Sequence, residues 1–199
     1  MEQYEVEFDA APEPSTPDAE RSGGALRLLI DIIETIVIAA LVYVGINTVS
    51  ARIRVDGFSM LPTLQSGEFV LVNKLSYHFG EPQTGDVIVF HFPRDPDQEY
   101  IKRIIGLPGD QVSIHDGQVF VNGALINEPY IAAPPNYRVD WTVPQDSLFV
   151  LGDNRNNSSD SHSWGPVPMD YVVGKALLIY WPPDEWGLIA HPTAVPSTP

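Results

Sequence analysis

Residues 51–64 read Ala-Arg-Ile-Arg-Val-Asp-Gly-Phe-Ser-Met-Leu-Pro-Thr-Leu, and both the fold and the chemistry depend on this stretch. Ile53, Val55 and Gly57 alternate with charged residues, which is typical of a half-buried strand. The glycine and the later proline indicate that the chain turns sharply at the end of this strand, which we call the strand exit. Ser59 lies at this exit, where its hydroxyl would be exposed beside a backbone N–H that can bind an anion. An acyl-transfer nucleophile requires both features. An ordinary turn-forming serine explains the same local pattern, so that alternative stays open.

The composition is that of a globular chain with room for one ordinary domain and tails. Its 199 residues are 44% hydrophobic and 19% charged, so the folded part can bury a core. Because cysteine is absent, disulfides, thiolate metal sites and thiol catalysis are excluded. The formal net charge of −15 argues against a nucleic-acid partner, which would require a basic face. No cofactor fingerprint or metal-ligand spacing occurs in the sequence, so we expect neither a cofactor nor a metal.

The character of the sequence changes at the boundary between residues 1–24 and residues 25–51. The first segment is acidic and rich in Pro, Ser and Ala. It has too few large apolar groups to offset the entropy cost of ordering the chain, so we predict a disordered tail. The second segment is apolar and long enough for one membrane-spanning helix. Asp31 and Glu34 lie near its beginning, where their side chains can reach the membrane interface. The uncharged part, residues 35–50, is shorter than a full span, so a buried core helix is the alternative.

Beyond Arg52 the sequence is typical of a β-domain. Short apolar runs, such as Val-Ile-Val-Phe at residues 87–90, recur between turn signals, and no long amphipathic helix is evident. Asp-Gly at residues 116–117 stands between two such runs and predicts a hairpin. We therefore predict a mainly β fold, with a compact antiparallel domain over residues 52–191 and a loose Pro-, Ser- and Thr-rich tail over residues 192–199.

A nucleophilic Ser59 needs a general base, and the candidates are histidines and lysines. None of the five histidines has a sequence position that indicates a general base, and an ordinary surface or hydrogen-bonded role fits each of them better. Among the three lysines, Lys102 has the most apolar ordered setting, in the run Tyr-Ile-Lys-Arg-Ile-Ile. Burial disfavours the ammonium form, so it can lower the pKa of an inward-pointing Lys102 and supply a neutral amine. A strand lysine whose charged end reaches water is the alternative.

Three blocks of sequence extend this interpretation. They are Ser-Met-Leu-Pro-Thr-Leu from Ser59, Tyr-Ile-Lys-Arg-Ile-Ile-Gly-Leu-Pro-Gly-Asp from Tyr100, and Gly-Asp-Asn-Arg from Gly152 with Ser-Ser-Asp-Ser from Ser158. In this order, over about residues 30–182, the chain resembles the type I signal peptidases (leader peptidases), which are membrane-bound Ser/Lys proteases. The resemblance implies a domain of the signal peptidase fold without a cofactor. It also implies cleavage of signal peptides from exported preproteins after small residues, in the pattern Ala-X-Ala.

The resemblance assigns roles to individual residues. Ser59 takes the place of the nucleophile and Lys102 that of the base. The Ser59 backbone N–H would be one donor to the oxyanion. The second donor, a serine hydroxyl in some members, falls on Gly57, which has no side chain. Because one such donor can lower the barrier by roughly 3 kcal/mol, the identity of the second donor matters.

Further residues are expected to support the dyad. Ser158 matches the serine that hydrogen-bonds the catalytic lysine. Asp160 matches an acid that usually pairs with a basic residue two positions later, where this chain has His162. An Asp–His contact depends on pH in a way that an arginine pair does not. The other charges expected to pair near the site are Asp153 and Arg103.

The family binds its substrate extended along strand edges, beside two shallow apolar pockets. The matching positions in this chain are Ile53, Val55, Met60, Leu64, Tyr100 and Ile101. Bulky walls would select alanine at substrate positions −1 and −3 because they exclude larger groups. Plain core packing is the alternative for each of these residues.

The family also implies a location and partners. Its members place the short tail in the cytoplasm and the catalytic domain outside, which implies a single-pass protein of the plasma (inner) membrane whose partners are signal peptides and the lipid bilayer. The arginines are balanced on the two sides of the span, so the positive-inside rule does not decide the orientation. Two rival functions stay open: another Ser/Lys processing peptidase of the same fold, of the repressor or conjugation type, and an inactive membrane-tethered β-domain that binds peptides.

Overall fold

The structure, a computed structural model, describes the backbone of residues 18–192 and the side chains of residues 24–192. Most of the predicted N-terminal tail and nearly all of the predicted C-terminal tail lie outside the described residues. The chain divides into two compact units at Gly45. One unit contains most of the long N-terminal helix and the other contains the whole β-domain.

The helix α1 spans Asp18–Val49. The helix begins before the predicted membrane-spanning segment, since Asp18 to Gly24 belong to it, so the predicted disordered tail is wrong for residues 18–24. Ala, Glu and Arg in this segment are good helix formers, so an acidic composition does not prevent helical structure there. The predicted end is also too late by two residues, since Ser50 and Ala51 already belong to the first strand.

The β-domain consists of twelve strands and two short helices. They are β1 (Ser50–Arg54), β2 (Phe69–Asn73), α2 (Ser76–Phe79), β3 (Val87–Phe92), β4 (Asp95–Gly106), β5 (Gln111–His115), β6 (Gln118–Val121), β7 (Ala124–Leu125), β8 (Val139–Thr142), β9 (Ser147–Leu151), α3 (Ser161–Trp164), β10 (Val167–Pro168), β11 (Val172–Trp181) and β12 (Gly187–Leu188). Single 3-10 turns occur at Met169–Tyr171 and Pro183–Glu185.

The strands form two antiparallel sheets. The larger has eight strands in the order β1-β2-β11-β3-β4-β9-β10, with β12 paired to β11, and the smaller has the order β7-β6-β5-β8. The mainly β, antiparallel prediction is confirmed. The predicted hairpin also forms, since His115 pairs with Gln118 across the turn. Asp116 and Gly117 both have positive φ angles, of 52° and 77°, which is the geometry of the two-residue turn that Asp-Gly favours.

The strand β9 lies between two hydrophobic cores and fixes the position of the loop that follows it. Leu148 and Val150 belong to one core, while Phe149 and Leu151 belong to the other. A strand that is buried on both faces cannot slip in register, because a slip would exchange the two sets of side chains. Its partner β4 pairs with it from Arg103 to Gly106, with a bulge between Ile104 and Gly106.

Candidate active site

A cleft of about 600 Å³ lies where the first block of sequence meets the second. Its walls are residues 53–59 and 98–102, with Asn157 and Ser159 at one side. The strand β4 pairs with β9 only from Arg103 onward, and β1 is the end strand of its sheet. Backbone groups on both walls are therefore available to an extended peptide, which can pair with open strand edges.

The side chains of Ser59 and Lys102 meet in this cleft. The Lys102 amine nitrogen Nζ lies 2.8 Å from the Ser59 hydroxyl oxygen Oγ. It also donates to the carbonyl oxygen of Ile101 at 2.9 Å. Lys102 retains only 4% of its exposed surface, so its charged end does not reach open water as the alternative interpretation requires.

Burial sets the protonation of this lysine. It lowers the pKa of Lys102 from an ordinary 10.5 to about 8, and the negative charges of Asp160 and Asp153 oppose that shift. Desolvation is the larger effect, because an ammonium group loses most of its hydration in such a place. The neutral amine is the form that can accept a proton, so the site becomes competent for base chemistry as the pH rises towards 8.

The backbone of Ser59 is held by the loop that follows β9. The Asn154 N–H donates to the Ser59 carbonyl oxygen at 2.9 Å, and the Asn154 side chain donates to the carbonyl of Phe58 at 3.0 Å. Gly152 packs so closely that an added Cβ would collide with the Ser59 carbonyl oxygen and the Ser158 hydroxyl. Only glycine allows this approach. The sequence did not indicate that Asn154 holds the backbone of the serine, because this contact joins residues almost a hundred positions apart in the chain.

Arg103 and Asp153 form a fully buried, two-pronged ion pair beside the cleft. Arg103 Nε lies 2.8 Å from Asp153 Oδ1, and its NH2 lies 2.7 Å from Oδ2. Arg103 also donates to the carbonyl oxygens of Gly85 and Ala190, and Thr63 donates to Asp153. The pair thereby joins the strand of Lys102, the loop after β9 and the turn that follows Ser59.

Ser158 does not form the expected hydrogen bond with Lys102. Its hydroxyl is buried and makes no hydrogen bond with any atom of residues 18–192. The Lys102 amine instead uses Ser59 and the Ile101 carbonyl, while Ser158 lies against Gly152. The expected hydrogen bond between Ser158 and the lysine is therefore wrong for this structure.

The contact between Asp160 and His162 is present. His162 Nδ1 lies 2.6 Å from Asp160 Oδ1, and the other carboxylate oxygen accepts the Gly152 N–H at 2.9 Å. Asp160 also caps the short helix α3 by accepting the His162 N–H. Five positions before Asp160, Arg155 does not line the cleft but forms a buried pair with Glu128, a partner that nothing in the sequence indicated.

Four of the six predicted pocket residues line the cleft: Ile53, Val55, Tyr100 and Ile101. Met60 and Leu64 do not line it, which corrects that part of the prediction. Both belong to the core on one side of the large sheet, together with residues such as Val70 and Val87, and they keep 1% and 0% of their exposed surface. Phe58 was missed, although it lines the cleft and is 59% exposed.

Comparisons with known proteins identify the family. The sequence family described as signal peptidase, peptidase S26, matches residues 29–181. This chain belongs to the signal peptidase family. It is 41% identical to a signal peptidase I of Leptolyngbya laminosa, over 92% of this chain and 96% of that protein. It is 46% identical to a probable signal peptidase I-1 of a Synechocystis strain, over 70% of this chain and 75% of that protein.

A crystal structure of a signal peptidase I from Enterococcus faecalis is 34% identical and covers 48% of this chain and 96% of that one, with a TM-score of 0.45. Sequence relationships over most of the chain are the basis of the assignment. The chain is thus a hydrolase of the signal peptidase I type, which cleaves signal peptides as a serine protease.

We expect the buried ion pair to be essential for the stability of this signal peptidase. The substitution Asp153→Ala leaves the Arg103 charge buried without its partner, which costs about 3–5 kcal/mol of the free energy of unfolding. Chemical denaturation of the full-length protein in detergent measures this loss.

The matched control is Arg138→Gln, because Arg138 and Asp116 are 3.6 Å apart with side chains 72% and 78% exposed. An exposed pair contributes less than about 1 kcal/mol. Equal losses of the free energy of unfolding in the two variants would show that the buried pair stabilises the fold no more than the exposed pair does.

Proposed function

We propose that this chain is a membrane-anchored endopeptidase that cleaves preproteins after Ala-X-Ala with a dyad of Ser59 and Lys102. The observation that carries the proposal is the 2.8 Å approach of a buried lysine amine to a serine hydroxyl inside an open cleft. Within residues 18–192, Lys102 is the only group that lies within hydrogen-bond distance of the Ser59 hydroxyl. A lysine with only a structural role does not require its amine beside a serine hydroxyl in an open cleft.

In the proposed mechanism the neutral Lys102 amine removes the proton from Ser59 as the serine oxygen attacks the scissile carbonyl carbon. The new ammonium group then gives its proton to the leaving amine, which becomes the N-terminus of the mature protein. Lys102, neutral again, activates a water molecule that attacks the acyl-enzyme and releases the signal peptide. The hydrogen bond to the Ile101 carbonyl keeps the amine pointed at Ser59 through these steps.

The Ser59 backbone N–H is the proposed principal donor to the oxyanion. This N–H makes no hydrogen bond with a backbone or side-chain acceptor among the described residues. The N–H of Gly57, in contrast, donates to the Ser66 hydroxyl at 3.3 Å. Gly57 has a φ angle of +98°, so glycine suits this position for its backbone conformation as well as for the open space beside it.

Selection of small side chains follows from the cleft walls. Ile53, Val55 and Ile101 are fixed by packing against the core, so a large substrate side chain could enter only by displacing them. Tyr100 stacks on Phe92 with 4.6 Å between ring centroids and is equally fixed. Rigid apolar walls reject larger residues by overlap, which supports alanine at positions −1 and −3.

The helix α1 is the proposed membrane anchor. Its segment Gly24–Val49 is long and apolar enough to cross a bilayer, and none of it is buried in the structure. A helix that is apolar on all sides and not covered by protein suits a lipid environment. We further propose the plasma membrane as its location, with the N-terminus in the cytoplasm and the β-domain outside.

The dyad predicts that Ser59→Ala and Lys102→Met each lower kcat at least about 1,000-fold, because the two groups act as one unit. The double variant should be no worse than either single variant. Cleavage of an Ala-X-Ala preprotein by full-length protein in detergent measures the effect.

The matched controls are Ser113→Ala, on the small sheet, and Lys74→Met, whose amine reaches only the Asn47 carbonyl. Both should keep the wild-type rate within about 2-fold. Full activity of Lys102→Met would remove lysine from the chemistry, and full activity of Ser59→Ala would reject the nucleophile.

The proposed orientation predicts that protease added to intact spheroplasts digests the β-domain. A cytoplasmic protein in the same cells should stay intact, which shows that the membrane is closed. If the β-domain is protected until the cells are lysed, the chain is inserted the other way round.

A further inference from the structure

Residues 128–137, which we call the clamp segment, connect β7 to β8 of the small sheet. They lie against residues 100–110 and 152–162, which together with residues 59–64 we call the catalytic blocks. Glu128 pairs with Arg155, and the ring of Tyr130 lies 4.0 Å from the Arg103 guanidinium carbon. Further along, the Asn136 N–H and the Pro134 carbonyl both bond the side chain of Asn156, each at 2.9 Å. The fourth contact is between Tyr137 and His162. A segment with no residue in the cleft thus touches the catalytic blocks at four places.

The contact of Tyr137 is a stacked pair of rings. Its ring centroid lies 4.1 Å from that of His162, and the ring planes differ by 15°. Tyr137 also packs against the core that contains Phe149 and Leu151, which keeps the ring in place. Its hydroxyl is buried and makes no hydrogen bond within the described residues. The flat face of the ring, and not the hydroxyl, is therefore what Tyr137 presents to His162.

The position of His162 in turn constrains the side chain of Asp160. A carboxylate can only accept hydrogen bonds, so the 2.6 Å contact places a proton on His162 Nδ1 and fixes the direction of the imidazole. Asp160 is fully buried, and its second oxygen holds the Gly152 N–H. Gly152 in turn packs against the Ser59 carbonyl oxygen.

Asp160 also acts on the base through space. Its negative charge raises the pKa of Lys102 against the effect of burial. A displaced Asp160 would therefore disturb both partners of the proposed dyad, the backbone of Ser59 by contact and Lys102 by charge. Errors of about 1 Å in such a constellation can cost about 100-fold in rate.

We propose that Tyr137 is a positioning residue of the cleavage reaction: its ring holds His162 against Asp160, and through Asp160 and Gly152 it fixes the backbone of Ser59. The proposal rests on the function proposed above for Ser59 and Lys102. It gives the clamp segment, which supplies no wall of the cleft, a defined part in catalysis.

The test compares Tyr137→Leu with Tyr137→Phe in the full-length protein in detergent, with an Ala-X-Ala preprotein as substrate. Leucine keeps apolar volume but removes the flat ring, so kcat should fall about 10-fold while KM stays the same, because the cleft walls are untouched. Phenylalanine keeps the ring and should restore kcat to within about 2-fold of the wild type.

The matched control is Phe120→Leu. Phe120 stacks on His115 with 4.6 Å between ring centroids and 11° between planes, on the small sheet and outside the catalytic blocks. Loss of this second histidine–aromatic stack should leave kcat unchanged. An equal fall in kcat for Phe120→Leu would show a general effect of ring removal and would overturn the proposal.

A double-mutant cycle with His162→Ala separates positioning from plain packing. If Tyr137 acts through His162, the double variant Tyr137→Leu/His162→Ala has the same kcat as His162→Ala alone. Losses that multiply would overturn the proposal. His162 is 23% exposed in its side chain, so His162→Ala carries the test even if Tyr137→Leu does not fold. In that case a wild-type kcat for His162→Ala overturns it.

The outcomes also separate this proposal from the proposed function. Inactivity of Ser59→Ala and Lys102→Met with full activity of Tyr137→Leu leaves the dyad in place and rejects only the positioning role. Full activity of Ser59→Ala rejects the dyad itself.

Discussion

The removal of one lysine amine from water is the constraint around which the structure is arranged. Lys102 lies on β4, which is buried from Ile101 to Gly106, and it keeps almost no exposed surface. An ammonium group is costly in such a place, so the neutral amine gains population, and its nitrogen lies 2.8 Å from the Ser59 hydroxyl oxygen. The adjacent Arg103 is also buried but stays charged, because its charge is paired with that of Asp153. In the proposed dyad, neighbouring residues of one strand thus provide a neutral base and a fixed charged anchor.

The fold brings together residues that are far apart in the sequence. β4 carries Lys102, the turn after β1 carries Ser59, and the loop after β9 holds the Ser59 carbonyl through Asn154. Each connection uses backbone hydrogen bonds or buried charge, both of which tolerate little displacement. In the proposed mechanism, geometry and desolvation supply what the reaction requires.

The sequence predicted local features well and long-range contacts poorly. Period-two alternation predicted strands, and Asp116-Gly117 predicted its hairpin, because both depend on neighbours in the chain. Lys102 stood out for its apolar flanks, and resemblance supplied its partner. Met60 could not be separated from the pocket residues, because alternation does not say which apolar side chains face a cleft. The pairing of Glu128 with Arg155 depends on tertiary structure alone. Residues 18–24 contain helix formers, but the acidic, Pro- and Ser-rich composition of residues 1–24 as a whole favoured the prediction of a disordered tail.

The pKa of Lys102 tests the account most directly. The chain has only three lysines, so selective ¹⁵N labelling of lysine gives few amine signals, and Lys102→Met identifies the one that belongs to Lys102. A pH titration of the full-length protein in detergent, followed by NMR, measures the midpoint for that amine. The account predicts a midpoint at about 8, which follows from its burial beside Ser59. A midpoint near the ordinary 10.5 would show an amine that stays charged at neutral pH and would contradict its role as the base.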